Sequence, residues 1–387
     1  MVEQSFAETA LSSVPVGWLE QLEPPRLEAR GSFLELCRGA LARPIGGPSL
    51  RDLTDRARRI AVVISDESRD EPRRELLEAL FEVLPRAHAT LVVASGTHQG
   101  SDAVVPEAFR DLPCVVHDAR ALAHTVELGV TSEGTRVRLA RVLADADLVV
   151  VTGRVRPHYF AGYSGGTKGV FPGCGYQQDI LDNHQLKSDP SARLGSVEGN
   201  RCRQDMEEAA LMLPGRLFLL NVLADAHGTP VAAASGHPVQ AHRHLVERAR
   251  EVFRVTGRPS RIVVVADRPP VSSSLYQASK LLPPAGALLE AGGAVVLVAD
   301  CRQGVEPLDR VNEGIYRLGV ASQLPEGHEV FLVSSLGEET VARTYARHAP
   351  ELAQLLQQLA GRLRVDWPVP VLWRAGEAVA TLARGRS

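Results

Sequence analysis

Eight short apolar runs, rich in β-branched residues, recur along the chain. They lie at 60–65 (IAVVIS), 89–95 (ATLVVAS), 148–152 (LVVVT), 217–222 (LFLLNV), 261–266 (RIVVVA), 294–299 (AVVLVA), 330–334 (VFLVS) and 369–373 (VPVLW). Most of these runs do not alternate apolar with polar residues, so they read as strands buried on both faces. Between several of them, residues 72–84, 203–213, 239–253 and 352–363 carry apolar side chains at i, i+3, i+4 spacing and predict amphipathic helices. Alternation of strand and helix predicts an α/β protein with mainly parallel sheets flanked by helices.

The turn Gly257-Arg258-Pro259-Ser260 separates four of these strands from the other four. It predicts two domains: an N-terminal α/β domain over 1–258 with a glycine-rich loop, and a C-terminal α/β domain over 259–387. A length of 387 residues, at roughly 150 per domain, fits that division. The first 50 residues or so, punctuated by Pro, Gly and Ser, predict an irregular arm. In open parallel sheets, ligands bind beyond the carboxyl ends of the strands. The residues that follow each run are therefore the candidate site.

Composition narrows the function classes. The formal net charge of −3 argues against a nucleic-acid partner or a polybasic membrane anchor. No apolar stretch approaches the ~20 residues that a bilayer crossing needs, and the N-terminus lacks the pattern of a secretory signal. Cys37, Cys114, Cys174, Cys202 and Cys301 are scattered with no CxxC pair, which predicts neither disulfides nor a cysteine zinc site. A reducing, cytoplasmic setting is expected. Only three of the 43 basic residues are lysine: Lys168, Lys187 and Lys280. Where arginine serves every ordinary cationic need, a lysine marks a candidate reactive amine or compact point charge. Lys187 falls in no motif and reads as surface charge.

Four segments that follow strands carry candidate chemistry. After the first run, Asp66 and Arg69 can orient one ligand, the guanidinium taking a carboxylate; alternatively Asp66 or Asp70 caps a helix. After the second, His98 lies in Gly96-Thr97-His98-Gln99-Gly100, as a cleft acid/base or as an ordinary turn histidine. The third is the densest: HYFAGYSGGTKGVFPGCGYQQDILDNH, residues 158–184, with six glycines between Gly162 and Gly175. A loop this long inside a compact domain is usually functional. Gly162-Tyr163-Ser164-Gly165-Gly166 satisfies GxSxG, but nine residues separate it from the preceding strand, and Gly169, Pro172 and Gly173 block the helix that a nucleophile elbow needs. Thr167-Lys168-Gly169 is not a Walker A ending, and no GxGxxG occupies a strand-turn-helix position. His184, expected just past a short helix over 177–182, is a candidate ligand for a borderline metal or a surface histidine. No second histidine stands at i±3 or i±4. After the fifth run, Gln277 and Lys280 lie three apart and predict an amide and a cation on one helix face.

These segments together resemble the nickel-dependent lactate racemase family. The resemblance is carried by HYFAGYSGGTKGVFPG with Asn183-His184, by Asn221-Val222-Leu223-Ala224-Asp225 and by Gly236 with Ala241-His242, within residues 42–300. It implies two α/β domains with the active site in the cleft between them. It also implies a nickel-pincer nucleotide, a pyridinium mononucleotide whose two sulfur donors and one carbon donor hold nickel. By position, Lys168 matches the lysine that tethers this nucleotide and His184 the protein's nickel ligand. His98 and His158 match the paired acid/base histidines. Asp66, Arg69, Gln277 and Lys280 match residues near cofactor and substrate. The implied partners are a small 2-hydroxy acid and the enzymes of cofactor biosynthesis.

The chemistry suits those residue types. Removing the C2 proton of a 2-hydroxy acid is difficult beside a carboxylate that is already anionic, whereas removing hydride gives a planar 2-keto acid and needs an electrophilic cofactor. Two histidines can serve the hydroxyl proton of either enantiomer. An amide tether requires lysine rather than arginine. Thr167 before the tether lysine, Gln99 after His98, Asp70 after Arg69, and the lack of an aromatic residue between Arg317 and Glu329 depart from the family pattern. They point to a 2-hydroxy acid larger or more polar than lactate. The competing readings are a serine hydrolase using Ser164 and a non-catalytic binder of a sulfur-containing nucleotide.

Overall fold

The computed structural model describes residues 5–383. All eight apolar runs form strands, gathered into two six-stranded sheets. The first sheet runs in the order Pro230–Gly236, Arg216–Ala224, Leu148–Val155, Ile60–Ser65, Ala89–Ala94, Cys114–Val116. Only its hairpin of Arg216–Ala224 with Pro230–Gly236 is antiparallel. The second sheet runs Leu19–Leu22, Val369–Trp373, Ser260–Ala266, Leu289–Val298, Glu329–Val333, Arg347–Ala349 and is parallel throughout.

The unbroken apolar runs have a direct packing reason. Along Ile60–Ser65, Ala61 and Val63 enter one core cluster, while Ile60, Val62 and Ile64 enter another on the opposite face. In Ser260–Ala266, Val263 and Val265 share the first cluster, and Ile262 and Val264 face a third. Successive strand residues point to opposite faces, so covering both faces demands an apolar residue at every position. The shared cluster joins the two sheets. The outer faces are covered by helices, Phe33–Leu41 and Arg73–Phe81 on the first sheet and Leu352–Leu363 on the second.

The N-terminal stretch is not the irregular arm its composition predicts. Helices Phe6–Ser12 and Phe33–Leu41 each begin at a capping box, Ser5 with Glu8 and Ser32 with Glu35. The strand Leu19–Leu22 pairs with Val369–Trp373, and Trp18 stacks on Trp367 with ring centroids 4.2 Å apart. The first strand thus lies in the second sheet, although a division at 258/259 groups it with the first. Among the described residues no helix is long and apolar enough to cross a membrane.

Candidate active site

The carboxyl ends of strands from both sheets open on one cleft of about 270 Å³. Asp66, Arg69, His98, His158, Lys168, His184 and Lys280 all line it. Gln277 reaches it by accepting a 2.8 Å hydrogen bond from Lys280 Nζ. The residues singled out in the sequence, spread over more than 200 positions, therefore meet in one place.

The turn after Ile60–Ser65 buries Asp66, whose carboxylate accepts from the Ser68 amide at 3.1 Å and faces His98 Nδ1 at 3.5 Å. Burial works against that charge, yet hydrogen bonds from His98 and Ser68 outweigh it and hold Asp66 below the ordinary carboxylate range. His158, the third residue past the strand Leu148–Val155, accepts the Ala161 amide on Nδ1 at 3.3 Å. That acceptor role puts the ring proton of the neutral form on Nε2. Burial, with Lys168 and Arg69 nearby, pushes His158 well below the ordinary imidazole value, so it is neutral at pH 7.

Phe160 is the hub of the inner wall. His158 and His184 meet its ring edge-on at centroid distances of 4.6 and 5.1 Å. Lys168 Nζ lies 5.4 Å and Lys187 Nζ 4.9 Å from the same ring centroid. Lys168 has no carboxylate partner among the described residues; its Nζ contacts Met206 Sδ at 3.7 Å. Burial, reinforced by Arg203 and Arg69, pulls its amine down to about 7. Lys187, read from sequence as surface charge, is buried in the same cleft, and burial brings it down to about 8. All three lysines of the chain thus share one site. Their rarity was the signal that could have assigned Lys187.

His184 lies in the last turn of the helix Gln177–Gln185, which runs past the expected end at 182. Its Nδ1 is 3.2 Å from Asn183 Oδ1, while the Asn183 amide donates to Asp205 Oδ2 at 2.7 Å and to the Cys202 carbonyl at 3.2 Å. Asp205 in turn accepts from the hydroxyls of Thr131 and Thr135. With the amide nitrogen committed, Asn183 Oδ1 is the acceptor and His184 Nδ1–H the donor, which leaves the Nε2 lone pair available. Among the described residues no group of three His, Cys, Asp or Glu side chains could hold a metal ion.

The segment before the expected helix, read from sequence as a loop, is a scaffolded turn: a hairpin of two-residue strands and a short 3₁₀ helix over Gly166–Gly169 lead into the helix carrying His184. Gly165 and Gly166 adopt φ of +74° and +64°, and a Cβ on either would collide with Asn221 or Arg203. The buried Arg203 guanidinium donates to the Tyr163 carbonyl at 3.0 Å and the Gly165 carbonyl at 3.3 Å, Asn221 Oδ1 accepts the Gly166 amide at 2.7 Å, and His242 Nε2 sits 2.8 Å from the Ser164 carbonyl. Arg203 and the Glu207 that pairs with it at 2.7 Å were not legible as site residues. The Ser164 hydroxyl donates to the Arg154 carbonyl at 2.8 Å and accepts the Arg156 amide at 3.0 Å. Among the described residues no imidazole bonds it, so Ser164 fixes the turn and has no general base of the kind a hydrolase nucleophile needs.

From the other sheet, Tyr276 and Lys280 form the facing wall, with Lys280 Nζ 4.3 Å from the Tyr276 ring centroid. Glu377 crosses to Arg154 at 2.9 Å and lies 3.8 Å from Arg156, tying the C-terminal segment to the rim of the cleft.

Comparison with known proteins places the chain in a family. Residues 8–195 match the family model described as lactate racemase N-terminal domain. The lactate racemase of Thermoanaerobacterium thermosaccharolyticum is 30% identical over 325 residues, 79% of this chain and 74% of that protein. The lactate racemase of Lactiplantibacillus plantarum is 29% identical over 283 residues, 70% of this chain and 66% of that protein. The solved lactate racemase apoprotein from T. thermosaccharolyticum superposes with a TM-score of 0.84 at 24% identity, covering 96% of both chains. A Thermotoga maritima protein superposes at 0.68 with 16% identity, covering 92% of this chain and all of that one. The chain belongs to the lactate racemase family and is an isomerase of the racemase type.

Proposed function

We propose that this protein racemises or epimerises a 2-hydroxy acid other than lactate, with a nickel-pincer nucleotide bound in the cleft. The observation that carries this reading is the convergence of Lys168, His184 and the pair His98/His158 on one small cavity.

The residues fit such a group. A buried lysine amine lowered to about 7, without a carboxylate partner among the described residues, suits an amide tether. A histidine whose Nδ1 is engaged by Asn183 offers Nε2 to a metal. Since the described side chains form no cage, the remaining donors would come from the organic group. The cations of the cleft suit an anionic nucleotide. When bound, this group would supply a reversible hydride acceptor for the substrate's C2.

The chain's own residues would do the rest. Arg69 and Lys280, the latter steadied by Gln277, would hold the substrate carboxylate while C2 presents either face. His158, neutral at pH 7, would take the hydroxyl proton of one enantiomer, and His98 that of the other. Asp66, facing His98, would orient that ring. Tyr159 and Phe160 would keep water from the reacting carbon. This reading makes the cofactor's biosynthetic enzymes partners. It also places the protein in the cytoplasm, in keeping with five unpaired cysteines.

The test is intact mass and metal analysis after co-expression with those enzymes. A mass increment on Lys168 with about one nickel per chain is expected, together with turnover of a 2-hydroxy acid. Cofactor retained without turnover across a broad panel of acids would make the protein a binder.

A further inference from the structure

This inference rests on the proposed racemisation and narrows its substrate. Three cations reach the substrate side of the cleft from three different segments: Arg69 after Ile60–Ser65, Arg156 after Leu148–Val155, and Lys280 from the second sheet. They are close enough to disfavour one another's charge. Burial and Arg69 pull Arg156 down to about 10, and burial with Arg69 among the neighbours pulls Lys280 well below its ordinary value. Counter-charge is scarce. Arg69 has no ion pair among the described residues, and Lys280 bonds only the neutral Gln277. Asp66 faces His98, Glu71 lies beside Arg73, and Asp70 is taken by Arg154.

Arg156 is the most informative of the three. Its side chain is 24% exposed, yet no side-chain nitrogen makes a hydrogen bond among the described residues. Its one ion-pair contact among the described residues is long, Glu377 Oε1 at 3.8 Å, and the other oxygen of that carboxylate, Oε2, pairs with Arg154 at 2.9 Å. A partly buried guanidinium that lines the cleft with its donors unfilled by protein groups can take an anion there. One substrate carboxylate can neutralise one of three cations.

We infer that the substrate is a 2-hydroxy acid with a second anionic group, which Arg156 holds while Arg69 and Lys280 take the C1 carboxylate. The planar fork of Arg156 suits a carboxylate or a phosphate ester equally. Two anchors at opposite ends of one small molecule would also fix C2 against the cofactor as it changes faces.

The test compares malate, 3-phosphoglycerate, lactate and glycerate as substrates of the cofactor-loaded enzyme. Malate or 3-phosphoglycerate is expected to give the highest kcat/KM, and whichever wins identifies the anion. In Arg156→Gln the ratio of that kcat/KM to the value for lactate should fall about 10- to 100-fold, mainly through KM, with partial recovery in Arg156→Lys. Glycerate performing as well as malate and 3-phosphoglycerate, or a ratio unmoved in Arg156→Gln, would overturn the inference. A thermal-shift series with the same four acids, at constant ionic strength, reads binding directly. The two acids with a second anionic group should stabilise the wild type more than lactate does, and Arg156→Gln should erase the difference; equal shifts for all four acids would overturn the inference. If the loaded enzyme turns over none of these four acids, the broad panel decides the racemase proposal, and the thermal-shift contrast decides whether the site selects a second anion.

Discussion

His184 Nδ1 lies 3.2 Å from Asn183 Oδ1, and the Asn183 amide is anchored on Asp205. Adjacent helical residues normally point apart, so this contact holds the imidazole in one orientation and one tautomer. Partners that orient a metal-bound histidine typically contribute about 10- to 100-fold in affinity. Asn183→Leu is expected to lower nickel affinity of the loaded protein by that factor while leaving cofactor mass on Lys168. His184→Ala is expected to lose the nickel altogether. Metal analysis with intact mass on both variants checks this division.

Lys168 carries a stability prediction with a definite sign. Its folded amine, at about 7, lies below the ~10.4 of an unfolded lysine. Between those values the unfolded chain binds more protons, so this group's contribution favours the fold as pH rises and is lost as pH falls towards 7. Lys168→Met removes the buried cation. It should raise the melting temperature of the cofactor-free protein by a few °C, with the gain larger at pH 6 than at pH 9. Melting curves at the two pH values suffice; a gain that grows with pH would refute the assignment.

His98 and His158 are expected to act on the hydroxyl proton rather than on the metal. Substituting either with Ala should lower turnover by about 10²- to 10⁴-fold while nickel content stays at the wild-type level. Asp66→Asn should weaken turnover less, because it removes the carboxylate that faces His98 and leaves the ring in place. Equal loss of nickel in both histidine variants would mean that the roles of ligand and base are misassigned.

Ser164 is expected to behave as a structural residue. Ser164→Ala removes two hydrogen bonds to the turn, to the Arg154 carbonyl and from the Arg156 amide, and should cost about 1–3 kcal/mol of stability. Denaturant unfolding measures that cost. Turnover by the folded variant should stay within a few-fold of wild type, whereas a loss of a thousand-fold would restore the hydrolase reading.

What was legible in the sequence follows from how local each signal is. Ile60–Ser65 and Ser260–Ala266 were visible because burial on both faces writes itself into consecutive apolar residues. Asp66, His98 and Lys280 could be singled out because each closely follows a strand or its first helix. The helix Phe33–Leu41 was missed because it spans nine residues amid Pro and Gly, although its Ser32/Glu35 box was a readable start signal. Glu377 was not legible, since its place depends on how the second sheet seats against the first, and Lys187 had only the rarity of lysine to mark it. The same holds for Asp205, which acts on His184 only through Asn183.

Hydride, not a proton, is expected to leave C2 in this cleft. Deuterium content at C2 of the product, after racemisation in D₂O by the cofactor-loaded enzyme, tests it most directly. Full inversion with the original hydrogen still on C2 is the predicted result. Incorporation of about one solvent deuterium per inversion would contradict the account.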